Sequence, residues 1–450
     1  MKVKLILPAL QEATAPSYRP IKYSLFPPLG LATLASFLNE EDEAEIVDEH
    51  VEKLSLDDAP DLVVIQVYIT NAYRAYTIAD HYRRKKCTVA LGGLHVTSLP
   101  DEAQVHADVI FSGPAEESFP RFLRDFRNGS FARHYTSLIR TLENLPLPRR
   151  DLLKRNHYLV PNSIVISRGC PNRCDFCYTN SFFKDGKSFY AQTIDRILAE
   201  IDALSGRHLY FLDDHLFAHR KLIRDLFLEM RGLNRVFQGS ASIDSILKDD
   251  TIDLARQAGF RSAFIGFESL GRDNLHETNK AGNLKYSYDE AIRRLDELGI
   301  MINGSFIFGM ENDTPEVFPS TVEWAVKKGI ATATFHIMTP YPDTRLYRRM
   351  SDEGRILTRD WDQYDTRHLV FRHHHMSKEE IENGYAWAYR EFYTWRNITG
   401  AAGHHFRKTM ALKHFAYASS WKKFEGIWNF VIKHRLLPSA RSVLEKVLKI

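Results

Sequence analysis

Ser167-Arg168-Gly169-Cys170-Pro171-Asn172-Arg173-Cys174-Asp175-Phe176-Cys177-Tyr178 is the most informative run in this chain. It places three of the chain's four cysteines on one short segment, directly after an apolar strand candidate at Ser163 to Ser167. Thiolates are soft ligands that suit iron–sulfur clusters and zinc. Three on one loop can hold three irons of a cubane and leave the fourth iron open to a bidentate amino-acid head group. A structural zinc site would close with four ligands, and the nearest histidines, His157 and His208, make no usual knuckle with the triplet. Cys87 stands far upstream at the start of a strand and reads as a buried apolar residue. So distributed, the cysteines do not form a disulfide framework, and they point to a reducing compartment.

Downstream of the cysteines, strand candidates recur at His208–Leu212, Arg235–Ser242, Ser262–Phe267, Asn303–Phe308 and Ala333–Met338, separated by helical patterns such as Ile194–Leu204 and Tyr288–Leu298. Six such units predict a barrel-like parallel sheet, open or closed, with its chemistry at the carboxyl ends of the strands. Upstream, mostly apolar runs at Val3–Leu7, Ala44–Val47, Asp61–Val67, Thr88–Leu91 and Asp108–Phe111 alternate with helical patterns. Such runs predict a parallel sheet covered on both faces. The expected architecture is α/β: a Rossmann-like domain over 1–140, a linker over 141–160 containing Leu145-Pro146-Leu147-Pro148, a barrel core over 161–350 and a helical C-terminal region over 351–450.

The 450 residues, 44% hydrophobic and 26% charged, fit a globular protein of two or three domains. A net charge of +3 gives no global reason to expect nucleic acid as a partner. The N-terminal apolar strand lacks a small-residue cleavage site, and no run approaches a membrane span, so a cytoplasmic location is expected. From Ala401 onward ten basic residues face two acids, Glu425 and Glu445, and are interleaved with Phe406, Met410, Phe415, Phe424, Trp428 and Phe430. That pattern fits a helical cap on the core with a solvated basic face, or a peripheral contact with an anionic membrane. His373-His374-His375 reads as surface, because adjacent histidines cannot all face one ion from a regular element.

Cys-x-x-x-Cys-x-aromatic-Cys after a first strand, with Phe176 as the aromatic, resembles the signature of the radical S-adenosylmethionine (SAM) superfamily. The resemblance implies a [4Fe–4S] cluster on Cys170, Cys174 and Cys177. SAM would bind the fourth iron, and one electron from an external donor would cleave it to a 5′-deoxyadenosyl radical. It further implies SAM contacts from Asp213 or Asp214 after the second strand, Ser240 on the third, Glu268 ending the fourth, and Gly304, Ser305 and Gly309 around the fifth. Asp343, in Pro340-Tyr341-Pro342-Asp343-Thr344, stands where relatives often carry glycine.

Pro27-Pro28-Leu29-Gly30-Leu31, Gly92-Gly93-Leu94-His95 and Ser112-Gly113-Pro114 resemble the cobalamin-binding module that precedes the core in one branch of this superfamily. Gly92, Gly93, His95, Ser112 and Gly113 are the implied cobalamin contacts, although the Asp-x-His-x-x-Gly stretch that often ligates cobalt is missing. Two cofactors facing one cavity imply methylation of an unactivated carbon of a lipid or specialised metabolite. Radical cyclisation, rearrangement or carbon–carbon coupling is the alternative enzyme reading, and an iron–sulfur or zinc regulator is the non-enzymatic one.

Overall fold

The computed structural model describes residues 1–10, 24–423 and 425–449; Phe424 of the C-terminal pattern lies outside them. The first sheet contains β1 (Lys2–Leu7), β2 (Glu43–Asp48), β3 (Leu62–Gln66), β4 (Thr88–Gly92), β5 (Val109–Ser112) and β6 (His134–Thr136), in the order β2-β1-β3-β4-β5-β6. Every pairing is parallel. This is the flavodoxin type of doubly wound order, whose ligands lie beyond the carboxyl ends of the strands near the point where the order reverses. The strands read as continuous apolar runs because both faces are covered: Val63 and Ile65 pack on one side, Leu62 and Val64 on the other. Helix Ala72–Arg84 buries Ala75, Tyr76, Ile78, Ala79 and Tyr82 along one stripe.

The second sheet contains β7 (Ser163–Ile164), β10 (His208–Phe211), β11 (Val236–Ala241), β12 (Phe260–Glu268), β13 (Met301–Phe308) and β14 (Thr332–Ile337), all parallel, in the order β14-β13-β12-β11-β10-β7. It is an open six-stranded partial barrel. The strand expected at Ser163–Ser167 divides in two. After Ile164 the chain leaves the sheet, and β8 (Ser167–Gly169) pairs antiparallel with β9 (Phe189–Ala191). The cause is the buried Asp213 carboxylate, which accepts from the backbone N–H of Ile166 at 3.3 Å and of Ser167 at 2.6 Å and from the Ser167 hydroxyl.

An open barrel exposes the backbone of its last strand. Here the dense aromatic helix Lys378–Phe392 and the residue after it cover that edge. The Tyr389 hydroxyl bonds the N–H and C=O of Phe335, and the Tyr393 hydroxyl those of Ala333. His373, expected at the surface, is 6% exposed and its Nε2 lies 2.8 Å from the Met310 carbonyl, because the chain must turn inward there to start this helix.

The basic tail closes the amino-terminal end of the barrel: Leu448 packs on Val236, Met301 and Ala331 at or beside the starts of β11, β13 and β14. Among the described residues no helix is long and apolar enough to cross a membrane.

Candidate functional site

Between β8 and β9 the chain makes the cysteine loop and the short helix Thr179–Phe182. Gly169 enters the loop at φ 76°, and a Cβ there would stand 2.1 Å from the Ser188 carbonyl oxygen, so the position requires glycine. The loop is pinned from outside. Asn279 donates to the Arg173 carbonyl at 2.9 Å, Asn180 to the Cys174 carbonyl at 2.9 Å, and the Asp175 N–H to the Thr278 carbonyl at 3.1 Å. Asp343 sits at φ 63°, the left-handed region glycine favours, and its carbonyl accepts from the Ser181 hydroxyl at 2.8 Å.

Cys174 is buried, Cys170 and Cys177 are half-buried, and none is in a disulfide. Burial, with the neighbouring sulfurs adding to it, pushes the Cys170 and Cys174 thiols up to about 11. Among the described residues no group of three or more His, Cys, Asp or Glu side chains is placed to hold a single metal ion. Three soft donors on one pinned loop, each free of a covalent partner, fit the corners of a cubane, whose irons are separate sites.

Around this loop stand the carboxyl ends of the barrel strands. Asp213 follows β10, and its carboxylate is taken up by Ser167 and Ile166, so it holds the loop rather than reaching outward; burial raises it to about 6. Ser240 on β11 donates to the Asp213 carbonyl at 2.8 Å. Asp214 is solvent-accessible, accepts from the Tyr178 hydroxyl at 3.1 Å, and its carboxyl is raised by its recessed setting. Glu268 ends β12 at φ 64°, after a register shift, and accepts from Lys280 Nζ at 3.0 Å. Ser305 is buried on β13. Asp213, Asp214, Ser240 and Glu268 therefore stand at one end of the sheet with the cysteines. Gly304, Gly309 and Phe176 are set differently. A Cβ at Gly304 would meet the Phe306 ring at 2.9 Å and Ile330 at 3.2 Å, and one at Gly309 would meet Ile381, so both would point into packed side chains; Phe176 packs against the barrel core.

The first sheet ends in a cavity of about 490 Å³ whose floor includes Gly30, Gly92, Gly93 and Gly113 and whose opposite wall is Val165, Arg168 and Leu212 of the barrel. A Cβ at Gly93 (φ 121°) would stand 2.6 Å from the Val67 carbonyl oxygen, and one at Gly92 3.3 Å from Phe111. The glycines leave a smooth cradle in which a broad ligand can approach backbone. Two implied contacts lie outside it. His95 is buried in the core, its Nε2 3.0 Å from Glu102 and its ring against Tyr76 and Trp361. Ser112 instead lies 2.9 Å from His134 Nε2.

Four positions that the residue pattern did not single out complete the site. Arg168 Nε donates to Glu116 at 2.8 Å, linking the cysteine hairpin to the first domain. Lys280 reaches the electrostatic neighbourhood of Cys174 and Cys177. Tyr68, after β3, and Tyr178 are each more than a third exposed, and the Asp214 carboxylate stands near both phenols. Arg168, two residues before Cys170, and Tyr178, adjacent to Cys177, carried a local signal, and Tyr68 did not. Lys280 lies in a segment without periodicity, and nothing in the order of residues couples it to the cysteines.

A six-stranded partial barrel with three unpaired thiols on the loop after its first strand, behind a doubly wound domain, defines a class. The chain carries a radical SAM domain. Residues 164–325 match the family model described as the radical SAM superfamily, and residues 344–448 match a domain of unknown function, DUF4070. Two similar proteins of Chlorobaculum tepidum are bacteriochlorophyllide d methyltransferases. The C-12(1) enzyme is 29% identical, with 81% of this chain and 82% of that protein covered. The C-8(2) enzyme is 28% identical, with 93% and 97% covered. Among solved structures, the cobalamin-dependent SAM radical enzyme OxsB, with aqua-cobalamin and SAM bound, superposes with a TM-score of 0.67 at 15% identity, covering 96% of this chain and 72% of that one. At that identity the likeness establishes a shared fold.

Proposed function

We propose that this protein is a cobalamin-dependent radical SAM methyltransferase acting on an unactivated carbon of a lipid or specialised metabolite. The observation that carries the reading is the cavity whose floor is the glycine cradle of the first sheet and whose far wall, at Arg168 and Leu212, adjoins the cysteine hairpin. In this reading Cys170, Cys174 and Cys177 hold the [4Fe–4S] cluster. Asp214, Ser240, Glu268 and Ser305 face SAM, and Gly92, Gly93 and Gly113 seat the corrin. When bound, cluster and SAM supply a 5′-deoxyadenosyl radical and cobalamin supplies the methyl group.

The chain's own residues orient and enclose. Asp213 anchors the strand that carries the cysteine loop. The Glu268–Lys280 pair presents a fixed carboxylate beside the cysteines, and Arg168–Glu116 keeps the two cofactor walls in register, which is what a reaction between two bound groups requires. Closing this space also excludes water. The C-12(1) and C-8(2) methyltransferases of Chlorobaculum tepidum support methyl transfer to carbon, and OxsB supports cobalamin in this fold. An external one-electron donor belongs to the same proposal. So does peripheral membrane contact through the tail, where Phe406, Leu412 and Phe430 are exposed among basic residues.

The test is the absorption spectrum and metal content of oxygen-free protein produced with added cobalamin, followed by reduction with methyl-labelled SAM. Iron, corrinoid, released 5′-deoxyadenosine and label in an added carbon substrate are expected together. A closed zinc centre, or no iron after reconstitution, overturns the reading; iron without corrinoid removes cobalamin from it.

A further inference from the structure

Along the barrel strands burial alternates in a way that marks an open interior. On β12 the outward Ala263, Ile265 and Phe267 are fully buried, whereas the inward Phe264 and Gly266 are only half-buried. On β14, Ala333, Phe335 and Ile337 are buried while Thr334 and His336 are half-buried; on β13, Asn303 and Ile307 are half-buried. Small closed barrels fill this space with their own side chains. Here half-buried inner positions occur at two levels, Phe264, Asn303 and Thr334 low and Gly266, Ile307 and His336 higher, with Ser305 buried between them on β13.

The lower half of that interior is a separate cavity of about 460 Å³, within the usual size range of small-molecule sites. Its sheet side is Tyr210, Gln238, Phe264, Asn303 and Thr334, and its other side comes from the C-terminal tail, chiefly Tyr417, Trp428, Val431 and Leu444. The tail's apolar residues thus face a space rather than only packing on the sheet. Ile427 and Val443 also line the cavity and are 54% and 58% exposed, so its wall reaches solvent through apolar side chains. Several polar side chains interrupt it: Asn303 donates to Ser262 and accepts from Thr332, whereas Gln238, 3% exposed, has its amide nitrogen 2.8 Å from His208 Nε2 and its amide oxygen without a partner among the described residues. From Phe264 to Glu268 is four residues of strand, about 13 Å.

We infer that the lower barrel and the C-terminal tail together form a binding site for the flexible hydrocarbon chain, acyl or isoprenoid, of the substrate. The substrate's reacting carbon then lies above, toward Glu268 and the cysteine loop. This rests on the methyltransferase reading and adds to it the substrate class. A largely apolar space bounded by aromatic and aliphatic side chains, with one unpaired amide oxygen among its polar groups, suits a hydrocarbon carrying few polar groups. A charged or heavily hydroxylated ligand would leave its polar groups unmet there.

The test is calorimetric titration of the full-length reconstituted protein with hexan-1-ol, octan-1-ol and decan-1-ol. Each buried methylene strengthens binding about fourfold, so decan-1-ol is expected to bind about 16-fold more tightly than octan-1-ol, at one molecule per chain. Ala416 and Thr334 both line the cavity, so Ala416→Trp from the tail side and Thr334→Phe from the sheet side fill it and are each expected to abolish this binding while the protein still unfolds cooperatively. A decan-1-ol analogue with a terminal photoreactive diazirine is expected to label peptides spanning 416–447 or the inner faces of β11 to β14. Absent or length-independent binding, binding kept by both folded variants, or labelling confined elsewhere overturns the inference. Alcohol binding needs no turnover, so loss of the methyl-transfer reading with retained chain binding would show as a separate result.

Discussion

Arg168 Nε donates to Glu116 Oε1 at 2.8 Å, joining the hairpin that leads into Cys170 to the loop after β5 of the first sheet. Both side chains are less than a fifth exposed. The pair is therefore a joint between the two cofactor walls, and removing one partner leaves the other charge poorly solvated.

Glu116→Gln is expected to destabilise the protein by roughly 2 kcal/mol, between the limits for exposed and fully buried pairs. Denaturant unfolding checks this, and a double-mutant cycle with Arg168→Met should recover a coupling of similar size. Strict additivity would show that the two groups do not interact in solution.

Cys170→Ala, Cys174→Ala and Cys177→Ala should each abolish iron–sulfur absorption and 5′-deoxyadenosine release. Cys87→Ala should retain both, since Cys87 is buried in the first domain's core. Iron analysis after anaerobic reconstitution is the measurement. A variant of the triplet with full iron content and turnover would remove that cysteine from the ligand set.

Gly169→Ala places a methyl group 2.1 Å from the Ser188 carbonyl oxygen at a left-handed φ. The β8–β9 hairpin must shift, and reconstituted iron content is expected to fall severalfold. Unchanged iron content would mean that the hairpin tolerates displacement at the entrance to the cysteine loop.

Asp213 titrates near 6 in the folded protein, raised from 3.8 by burial. Between those values the native state holds more protons than the unfolded one, so this group's contribution to stability falls as pH rises and is spent above 6. Asp213→Asn does not titrate. The stability advantage of wild type over this variant should therefore shrink by on the order of 2–3 kcal/mol between pH 4 and pH 7. Paired unfolding curves across that window decide it, because other groups titrate in both proteins; an advantage that grows with pH contradicts the assignment.

Tyr393→Phe strips the hydroxyl from the N–H and C=O of Ala333 on the open edge of the barrel. Tyr393 is 4% exposed, so water cannot readily replace it. A loss of about 1–3 kcal/mol is expected, with faster hydrogen exchange at Ala333. Unaltered exchange there would show that the edge is protected by packing alone.

The two parallel sheets and the helical end were legible because mostly apolar strands separated by amphipathic helices leave a periodic mark. Leu62–Gln66 and Phe260–Glu268 fall close to the runs read as strands. The division of Ser163–Ser167 was not legible, since the carboxylate that bends the chain belongs to Asp213 on a later strand. His95 and Ser112 shared a glycine-rich context with true cavity residues, yet His95 turns into the core to meet Glu102, a helix away. Gly304 and Ser305, as neighbours on β13, necessarily face opposite sides, but which of them faces the barrel interior is assigned only by the packing of the sheet.

What the order of residues determined alone is the cysteine loop's donor chemistry and the alternation of apolar runs, because both depend on near neighbours. The tertiary structure decided which distant groups stand beside that loop: Lys280 with Glu268, Asp213 under Ser167, Glu116 against Arg168. It also decided that the tail's apolar side chains face a space inside the barrel. Those relationships arise where separate elements meet, and packing geometry, not local pattern, sets them.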